Sequence, residues 1–398
     1  MSKLKDYQAI IPLGGDGKRL KPFTKDRSKA VVPLFNNFPI TEVGIFNIAK
    51  KLGIREFILG VNGYQNYLDI QLYYQGGFGW SNKMGIKPQV HFHYQNPNYN
   101  DKGSADSVFY NIRKFDITKP VIVFQNDIIF SPADLYSLVR FSEENNFDFV
   151  IGLTQLEKPE EYGLAKLSSN KKTIEKFIEK PENILAKNVL INTGVYVIKP
   201  QAFKDLQEDF GKDVLPKLVK TRKLGGYIFK DTWLDFGSAK AHHRSFQNIL
   251  NQNFSYLLPF LKRTAKNVPN TDIWIRGLGP QSLKLNENIK TSIENRKITT
   301  KGKVIIGNDC MIGDNTFIKS SSIGDMTVIK SGTKIIESNI MDAWQIGENV
   351  KIEKSTLGRG GAISNYTRVK LSFLGDNVVI GSEKTIDNKV LTKHSRVV

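Results

Sequence analysis

Aliphatic side chains recur along the last hundred residues at intervals of six, six and five, and this repeat runs from Ile306 to Val397 without a break. A period of about six fits neither an α-helix, with about 3.6 residues per turn, nor a strand with alternating faces. It fits a parallel β-solenoid in which one complete repeat makes one coil with three short faces, each sending one aliphatic side chain inward. The members between the two ends are Ile312, Ile318, Ile323, Ile329, Ile335, Ile340, Ile346, Ile352, Leu357, Ile363, Val369, Leu374, Ile380, Ile386 and Leu391.

Glycine directly follows several of these aliphatic positions, where we expect a tight corner with a positive backbone φ. The repeat resembles the left-handed β-helix of hexapeptide-repeat proteins, and the handedness is implied by that resemblance alone. We therefore predict a left-handed parallel β-helix domain over residues 301–398. The corner glycines are Gly307, Gly313, Gly324, Gly347, Gly358, Gly375 and Gly381.

The first 250 residues show a different pattern, in which short apolar runs alternate with helix-like segments. Strands are expected over 8–13, 56–61 and 120–127, and helices over 40–53 and 104–115. This alternation predicts an α/β domain over residues 1–250, with a Rossmann-like, mostly parallel sheet covered by helices on both faces. Ligands bind such sheets at the carboxyl ends of the strands. Residues 251–300 are less regular and are expected to link the two domains.

The composition limits the class of protein. The single cysteine, Cys310, excludes a disulfide scaffold and a cysteine-based metal cluster. Hydrophobic residues make up 40% of the 398 residues, which is typical of a globular protein and excludes a disordered one. No apolar run reaches the ~18 residues of a membrane helix, and the N-terminus lacks the apolar core of a signal peptide. We expect a soluble, cytoplasmic protein without a membrane partner.

The net charge points to anionic partners, because 57 Lys and Arg against 39 Asp and Glu give a formal charge of +18. The basic residues are scattered, and they form no zinc-finger or RNA-binding fingerprint, so we expect no nucleic-acid partner. Small anions such as nucleotides and sugar phosphates suit this charge equally well. A compositional bias toward Lys, Asn and Ile is the alternative explanation.

A glycine-rich loop follows the first expected strand, where residues 14–33 read GGDGKRLKPFTKDRSKAVVP. Such a loop can wrap backbone N–H groups around phosphate oxygens, because no Cβ blocks the approach. Its spacing is neither that of a dinucleotide-binding fingerprint nor that of a Walker A loop. The complete pattern, Gly-Gly-x-Gly-x-Arg-Leu-x-Pro-x-Thr followed by Lys29 and Pro33, resembles the signature of sugar-1-phosphate nucleotidyltransferases.

Further segments resemble the same family and occur in the family's order. They are Gln95 with Gly103-Ser104-Ala105, Asp127, Glu161-Tyr162-Gly163, Phe177-Ile178-Glu179-Lys180-Pro181, Asn192-Thr193-Gly194-Val195-Tyr196 and Trp233-Leu234-Asp235-Phe236-Gly237. Each alone is a weak signal, since a Glu-Lys-Pro turn is usually just solvated and an Asp after a strand is often a helix cap. Together, in order over residues 7–250, they are specific.

The resemblance implies a role for each residue. The nucleotide-binding residues would be Leu13, Gly14, Gly15, Gly17, Gln95, Gly103 and Ser104, and the sugar-phosphate-binding residues Tyr162, Gly163, Glu179, Lys180 and Asn192. The catalytic residues would be Arg19, Lys29, Asp127 and Lys180. Asp127 and Asp235 would bind Mg²⁺, which prefers hard carboxylate oxygens.

The implied reaction needs little covalent chemistry from the protein. The phosphate oxygen of a sugar 1-phosphate attacks the α-phosphorus of a nucleoside triphosphate, and pyrophosphate leaves. Because this nucleophile is already ionised at neutral pH, no general base is needed, and catalysis consists of positioning and charge neutralisation. Arg19 and Lys29 would lie on the triphosphate, and Lys180 would hold the attacking phosphate.

The substrate pair is the least determined part of this prediction. KDRSKAVVP over 25–33 and DFGKDVLPKLV over 209–219 resemble ADP-glucose pyrophosphorylases, which favours ATP and glucose 1-phosphate. FPITE over 38–42 and Asn192-Thr193-Gly194 are closer to thymidylyl-, uridylyl- and guanylyltransferases. The alternative is therefore a dTDP-, UDP- or GDP-sugar pyrophosphorylase acting on glucose, mannose or N-acetylglucosamine 1-phosphate.

Two other functions remain as alternatives. Lys18 and Asn126 depart from the family's pattern, which keeps open a catalytically weak regulatory subunit of the same fold. A β-helix often belongs to an acyltransferase, but that chemistry needs a histidine on the coils, and only His394 lies there, near the end of the chain. We expect the β-helix to mediate homo-oligomer contacts, in a dimer, trimer or tetramer.

Overall fold

The structure is a computed structural model that describes residues 4–156, 159–181, 189–221, 223–252, 257–277 and 279–398. Its contacts divide the chain into two compact units. The first unit consists of the residues up to Gly15 and of Gly44–Leu234, and the second consists of Asp16–Val43 and Asp235–Val398. Most of the glycine-rich motif therefore belongs to the unit that contains the β-helix.

The helices of the described residues confirm the predicted alternation. Helices α1 to α9 are, in chain order, Ile40–Asn47, Tyr64–Tyr74, Phe78–Met84, Ser104–Lys114, Pro132–Glu144, Leu215–Thr221, Ala239–Asn251, Leu258–Thr264 and Pro280–Glu294. Within the described ranges, none of them is long and apolar enough to cross a membrane. The predicted helix over 40–53 is α1, continued by a π-helical turn over Ile48–Leu52.

The strands of the first unit form a mixed sheet. Strands β1 to β13 of the chain are Gln8–Pro12, Pro33–Phe35, Phe38–Pro39, Glu56–Gly60, His91–Tyr94, Val121–Phe124, Ile128–Ile129, Phe149–Leu156, Leu164–Leu167, Ile174–Ile178, Val189–Ile198, Leu224–Ile228 and Leu234–Asp235. Of these, β2 and β3 belong to the second unit, where they pair with each other. The sheet order is β10-β9-β11-β6-β1-β4-β5, and β12 joins it through β8 beside β11. β1, β4, β5 and β6 are parallel, as predicted, whereas β11 runs antiparallel to β6, β8 and β9.

Both faces of this sheet are buried, as predicted for an α/β domain. Ile10 of β1 is the register partner of Ile58 of β4, and both join Val108 of α4 in one core cluster. Ile11 alternates to the opposite face and is also fully buried. The predicted fold class is confirmed, and the carboxyl ends of β1, β4, β5 and β6 carry several of the candidate site residues.

The second unit contains the predicted parallel β-helix. Strands β14 to β31 are Lys266–Asn267, Ile273–Ile275, Ile298–Ile306, Met311–Ile312, Thr316–Ile323, Val328–Ile329, Lys334–Ile336, Asn339–Ile340, Trp344–Ile346, Lys351–Glu353, Thr356–Leu357, Gly361–Ile363, Arg368–Lys370, Phe373–Leu374, Val378–Ile380, Thr385–Asp387, Val390–Leu391 and Arg396–Val397. Register partners lie one complete repeat apart, as in Ile335 with Ile352 and Ile329 with Ile346. The aliphatic repeat thus stacks in columns in the core.

The prediction that the corner glycines have a positive φ is wrong. None of the seven is among the residues with a positive φ. A Cβ on Gly307 would lie 2.5 Å from the backbone nitrogen of Asp325, and one on Gly324 would lie 2.4 Å from the carbonyl carbon of Met341. These glycines are required because successive coils approach closely. The β-helix positions that do have a positive φ are mostly occupied by other residues, such as Asn349.

Residues 251–300, expected to be a linker, contribute to the end of the β-helix. β15 pairs in parallel with β16, with Ile273 opposite Val304. Ile289 of α9 joins the same core cluster as the aliphatic columns. β15 and α9 therefore form a cap that covers one open end of the β-helix. The domain boundaries themselves remain a prediction.

Two adjacent histidines of α7 are buried in the second unit. His242 is fully buried and its Nε2–H donates to the carbonyl of Pro33 at 2.9 Å. His243 contacts the Thr356 hydroxyl at 3.1 Å and lies edge-on to Phe373. Burial lowers the pKa of each ring to about 4. Both imidazoles are therefore neutral at neutral pH.

This burial predicts that the protein loses stability in mild acid. Between about pH 6.5 and pH 4 these histidines bind protons in the unfolded chain but not in the folded one. As the pH falls, each histidine therefore lowers the free energy of unfolding by up to about 1.4 kcal/mol per pH unit. The full stability is present above pH 6.5 and falls toward pH 4. We expect His242→Gln to flatten the fall of Tm over this range, whereas His394→Gln, at an exposed position, should not. Equal slopes for the two variants would contradict this explanation.

Candidate active site

The end of β1 leads into the first part of the glycine-rich loop. The backbone nitrogen of Leu13, which is fully buried, donates to the carbonyl of Gly60 at 2.7 Å. A Cβ on Gly14 would lie 2.8 Å from Cβ of Asn62 and 3.4 Å from Oδ2 of Asp101. Gly15 is exposed. Glycine at position 14 therefore keeps the loop directly against the residues that follow β4 and β5.

Gln95 follows β5 and is fixed by its neighbours. Its side-chain oxygen accepts hydrogen bonds from Ser107 Oγ and Asn111 Nδ2, each at 2.7 Å. Burial raises the pKa of the Asp101 carboxyl, and the amide side chains of Gln95 and Asn62 oppose this effect. Gln95 is thus a pre-positioned amide near the carboxylate that lies beside Gly14.

The segment Gly103–Ser104 begins α4 and lies against residues 208–210. A Cβ on Gly103 would lie 2.7 Å from the Glu208 carbonyl oxygen. That oxygen accepts the backbone N–H groups of Ala105 and Asp106, each at 2.9 Å. The Ser104 hydroxyl donates to Asp209 Oδ2 at 3.0 Å. Both Gly103 and Ser104 therefore have a structural reason to be present, besides their predicted contact with the nucleobase.

Asp127 lies directly after β6, at the carboxyl end of a buried parallel strand. It is half-buried, and Asn126 before it is almost completely buried. This is the edge of the sheet at which ligands bind in such folds. The position therefore agrees with the metal-binding role that the motif implies.

The predicted sugar-phosphate residues lie together in the first unit. Asn192 donates its backbone N–H to the carbonyl of Gly163 at 2.8 Å. A Cβ on Gly163 would lie 2.6 Å from Glu179 Oε2. Lys180 Nζ lies 3.4 Å from Glu179 Oε1. Tyr162 stacks edge-on against Trp233, with ring centres 5.6 Å apart.

Glu179 is held between two glycines. Besides Gly163, a Cβ on Gly211 would lie 2.4 Å from Oε2 of this carboxylate. Gly211 lies in the π-helical turn Phe210–Val214, and its backbone N–H donates to Asp209 Oδ1 at 2.9 Å. The absence of a Cβ at both glycines therefore leaves the space that the Glu179 carboxylate occupies.

Gly211→Ala is expected to weaken binding of the sugar 1-phosphate. Because Gly211 is not among the residues with a positive φ, alanine fits the backbone, but its methyl group would displace the Glu179 carboxylate. We expect KM for the sugar 1-phosphate to rise by about tenfold, with KM for the triphosphate unchanged. Gly79→Ala, at a position with open space around the added Cβ, is the matched control. An unchanged KM for both substrates would contradict the assignment.

Asn192 begins an irregular part of β11. Its side-chain nitrogen donates to the Tyr196 hydroxyl at 2.9 Å, and its side-chain oxygen accepts from the backbone N–H of Gly194 at 2.9 Å. Gly194 has a positive φ of 76°. The register of β11 with β8 shifts between Asn192 and Tyr196. Asn192 keeps its pairing with Leu153, and residues 193–195 leave the ladder with β8 as a bulge directly after it.

The second unit holds the cationic part of the motif. Gly17 has a φ of 61°, and a Cβ there would lie 3.2 Å from Cβ of Lys29. Thr24 Oγ1 donates to the Gly17 carbonyl at 2.7 Å, which closes the loop. Lys29 is half-buried at the start of a short 3₁₀ helix, and Arg19 is exposed.

Asp235 also lies in the second unit. Its Oδ1 accepts the backbone N–H of Gly237 at 3.0 Å, and its carbonyl accepts the Ser245 hydroxyl at 2.7 Å. These bonds fix a half-buried carboxylate just before α7. Carboxylate oxygen is the ligand type that Mg²⁺ requires. Asp235 and Asp127 therefore both fit the predicted metal role by their chemistry.

The predicted residues thus divide between the units. The first unit contains Leu13, Gly14, Gly15, Gln95, Gly103, Ser104, Asp127, Tyr162, Gly163, Glu179, Lys180 and Asn192, and the second contains Gly17, Arg19, Lys29 and Asp235. The sugar-phosphate residues form one cluster, and Gly17 lies against Lys29.

Comparison with known proteins decides the family. A family model described as nucleotidyl transferase matches residues 8–252, and one described as the GMPPB C-terminal domain matches residues 296–398. The first match covers more than half of the chain. The chain belongs to the nucleotidyl transferase family. It is accordingly a nucleotidyltransferase.

Two relatives resemble this nucleotidyltransferase along most of its length. A glucose-1-phosphate adenylyltransferase of Clostridium kluyveri is 27% identical over 355 residues, 85% of this chain and 86% of the relative. One of Photobacterium profundum is 24% identical over 370 residues, 83% of this chain and 84% of the relative. A third relative, a probable mannose-1-phosphate guanylyltransferase of Oryza sativa subsp. japonica, is 25% identical over 238 residues, 58% and 62% of the two chains.

Two residues that contact predicted site residues were not predicted from the sequence. Asp101 carries no motif signal, and only the folded arrangement brings it beside Gly14 and Gln95. Gly211 lies in a segment that the sequence did single out, but its partner Glu179 lies in a different motif, well before it in the chain. No local pattern could have indicated either contact.

Proposed function

We propose that this nucleotidyltransferase transfers the adenylyl group of ATP to glucose 1-phosphate, giving ADP-glucose and pyrophosphate. One observation carries the choice of substrates: similarity to glucose-1-phosphate adenylyltransferases extends over 85% of the chain, through both units. Similarity to the guanylyltransferase covers 58%. The segment over 25–33 supports the same choice.

The proposed mechanism assigns each cluster to one part of the reaction. Glu179 and Lys180 hold the sugar 1-phosphate, where the Lys180 ammonium offsets the charge of the attacking phosphate and directs its oxygen. Glycines 14, 15 and 17 let the backbone approach the triphosphate. Arg19 and Lys29 neutralise the negative charge that grows on the leaving pyrophosphate.

Asp127 and Asp235 are the proposed Mg²⁺ ligands. Bound there, the ion would supply charge neutralisation at the phosphates, which is the contribution that divalent metals make to phosphoryl transfer. No residue needs to remove a proton from the nucleophile, since a phosphate monoester is ionised at neutral pH. The pH profile should therefore lack the loss of activity at low pH that protonation of a protein general base would cause.

A guanylyltransferase acting on mannose 1-phosphate is the second candidate. It is favoured by the C-terminal match over residues 296–398, described as the GMPPB C-terminal domain, and by the guanylyltransferase relative. Asn192-Thr193-Gly194 supports it from the sequence side. Gln95, together with Asp101 beside Gly14, would offer both amide and carboxylate groups to a nucleobase, and this pair does not choose between adenine and guanine.

A panel of substrate pairs tests the proposal. The purified protein is incubated with Mg²⁺ and each of ATP, GTP, UTP, dTTP and CTP, against glucose, mannose or N-acetylglucosamine 1-phosphate, and pyrophosphate release is measured. ATP with glucose 1-phosphate is expected to exceed every other pair by at least about tenfold. GTP with mannose 1-phosphate as the best pair would establish the second candidate. If a folded protein that binds nucleotide releases no pyrophosphate with any pair, this would indicate a regulatory subunit.

We also propose that the β-helix mediates homo-oligomer contacts. An exposed solenoid face presents backbone and side-chain groups that a second copy can cover. Light scattering on the purified chain tests this, since a 45.0 kDa mass at all concentrations would contradict it.

A further inference from the structure

One corner of the β-helix carries a column of charged and polar side chains. Its members follow one another at intervals of one complete repeat, one in each successive coil: Asn308, Asp325, Asp342, Arg359, Asp376 and Lys393. We call this column the corner ladder. Stacked coils of a parallel solenoid are about 4.8 Å apart, so these side chains are close neighbours. Such a column can present charge to a partner segment along its whole length.

The aspartates of the corner ladder use their two oxygens differently. In each, Oδ1 accepts the backbone N–H of the preceding ladder residue: Asp325 from Asn308 at 2.8 Å, Asp342 from Asp325 at 3.0 Å, and Asp376 from Arg359 at 2.7 Å. The Oδ1 atoms therefore tie one coil to the next. Oδ2 of Asp376 faces Arg27, whereas Oδ2 of Asp325 accepts from Arg276 at 2.9 Å and from Asn308 Nδ2 at 3.2 Å. Oδ2 of Asp342 lies 3.8 Å from Nε of Arg359.

Three residues of the corner ladder contact the segment that carries the signature motif: Asp325, Arg359 and Asp376. Arg27 Nη2 donates to Asp376 Oδ2 in an ion pair whose two side chains are 11% and 18% exposed. Asn37 donates to Asp325 Oδ2 at 3.3 Å and accepts from Arg359 Nη2 at 3.0 Å. Burial lowers the pKa of Arg27, and the Asp376 carboxylate opposes that effect.

Apolar contacts complete this attachment within the second unit. Leu20, Phe23 and Val32 of the segment form one buried cluster with Met341 and Phe373 of the β-helix. The carbonyl of Leu34 accepts a hydrogen bond from Asn339 Nδ2 at 2.9 Å. The segment over 16–43 is therefore bound to the β-helix by charged, polar and apolar contacts.

Lys29 lies two residues from the ion pair. Ser28, between them, is buried and its hydroxyl accepts the backbone N–H of Ala30 at 3.3 Å, which caps the 3₁₀ helix Lys29–Val31. Gly17 also lies against the Lys29 side chain, since a Cβ there would be 3.2 Å from Cβ of Lys29. A shift of Arg27 would consequently be passed directly to the start of this helix.

We propose that the corner ladder positions Lys29 for nucleotidyl transfer, and that Asp376 is its principal positioning residue, acting through Arg27. This inference rests on the proposed role of Lys29 on the triphosphate. It gives the β-helix a part in the reaction of its own chain, besides any contact with other chains. Asp376 touches no substrate in this scheme and acts only through the segment that it holds.

Asp376→Asn isolates the outward contact. The asparagine oxygen can still accept the Arg359 backbone N–H, while its amide nitrogen replaces the oxygen that faces the Arg27 guanidinium. We expect kcat/KM for the triphosphate to fall by about tenfold, with KM for the sugar 1-phosphate unchanged. Glu353→Gln is the matched control, because Glu353 is equally exposed at 18% and pairs with Lys351 and Arg368 instead of the segment.

A double-mutant cycle with Lys29→Met decides whether Asp376 acts through Lys29. Turnover and triphosphate affinity are both measured for the two single variants and the double variant. If the inference is correct, Asp376→Asn has less than about a twofold further effect once Lys29 is removed. Independent, multiplying losses, or an Asp376→Asn variant no weaker than Glu353→Gln, would overturn it.

The same cycle separates failure of this inference from failure of the proposed function. If Lys29→Met alone changes neither turnover nor triphosphate affinity, the role of Lys29 is wrong and the positioning proposal falls with it. If Lys29→Met is strongly impaired and Asp376→Asn behaves like the control, only the positioning proposal fails. If Asp376→Asn and Glu353→Gln lower Tm equally, the loss reflects general stability. The two variants can then still be compared by their KM values.

Discussion

Asp127→Ala and Asp235→Ala are each expected to lower Mg²⁺-dependent turnover by at least about a thousandfold while leaving the fold intact. Both residues are half-buried, one after β6 and one before α7, and neither belongs to a core cluster of the described residues. Their carboxylates are the proposed metal ligands, so their removal takes away the charge that balances the phosphates. Initial rates across a Mg²⁺ titration, with Tm as the check on folding, measure the effect.

Asp231→Ala is the control for these variants, since Asp231 is an exposed aspartate four residues before Asp235. It should keep its turnover. If Asp127→Ala and Asp235→Ala both turn over at the rate of this control, the metal assignment is wrong. A defect that higher Mg²⁺ concentration restores would instead support it, because a weakened site fills again by mass action.

Removal of the β-helix is expected to abolish activity altogether, although the nucleotidyl transferase match ends at residue 252. A chain that stops after residue 295 would lose Met341 and Phe373, which bury Leu20, Phe23 and Val32, and would also lose the corner ladder. The segment with Arg19 and Lys29 would then keep its contacts with α7, such as that of Pro33 with His242, but would lose all its contacts with the β-helix. We expect an aggregating protein with no measurable turnover, as judged by size-exclusion chromatography and pyrophosphate release.

A chain that stops after residue 389 provides the comparison. It loses the last strands and Lys393. Lys393 Nζ lies 2.6 Å from Oδ2 of Asp26, whose side chain is exposed. Exposed ion pairs contribute little, so this variant should fold and keep most of its activity. A soluble, active protein ending at residue 295 would contradict the account of the second unit.

The sequence predicted the β-helix well because its period directly records the geometry of the coils. One inward aliphatic residue per face is a requirement of the core, and Ile318, Ile335 and Ile352 stack in the register that the spacing demands. The corner glycines were misinterpreted, because a glycine that avoids a neighbouring coil looks the same in the sequence as one that needs a positive φ. Only the distance from Gly307 to Asp325 distinguishes the two.

The division of the signature motif could not be predicted. Residues 14–33 are continuous in the sequence and match one motif, which suggested one domain. The structure assigns Gly14 and Gly15 to the first unit and Arg19 and Lys29 to the second. This division depends on contacts such as Arg27 with Asp376, 349 residues apart in the chain. Composition and local periodicity do not indicate which residues that are far apart in the chain will contact each other.

The central claim is that the protein joins a sugar 1-phosphate to the nucleotidyl group of a triphosphate, and product analysis tests it most directly. ATP, glucose 1-phosphate, Mg²⁺ and the protein are incubated, and phosphorus NMR with mass spectrometry identifies every phosphorylated product. The account predicts ADP-glucose and pyrophosphate in equal amounts, formed only when both substrates are present and reversed by added pyrophosphate. Triphosphate hydrolysis without a nucleotide sugar, or a folded protein that forms no nucleotide sugar from any triphosphate and sugar 1-phosphate, would contradict it.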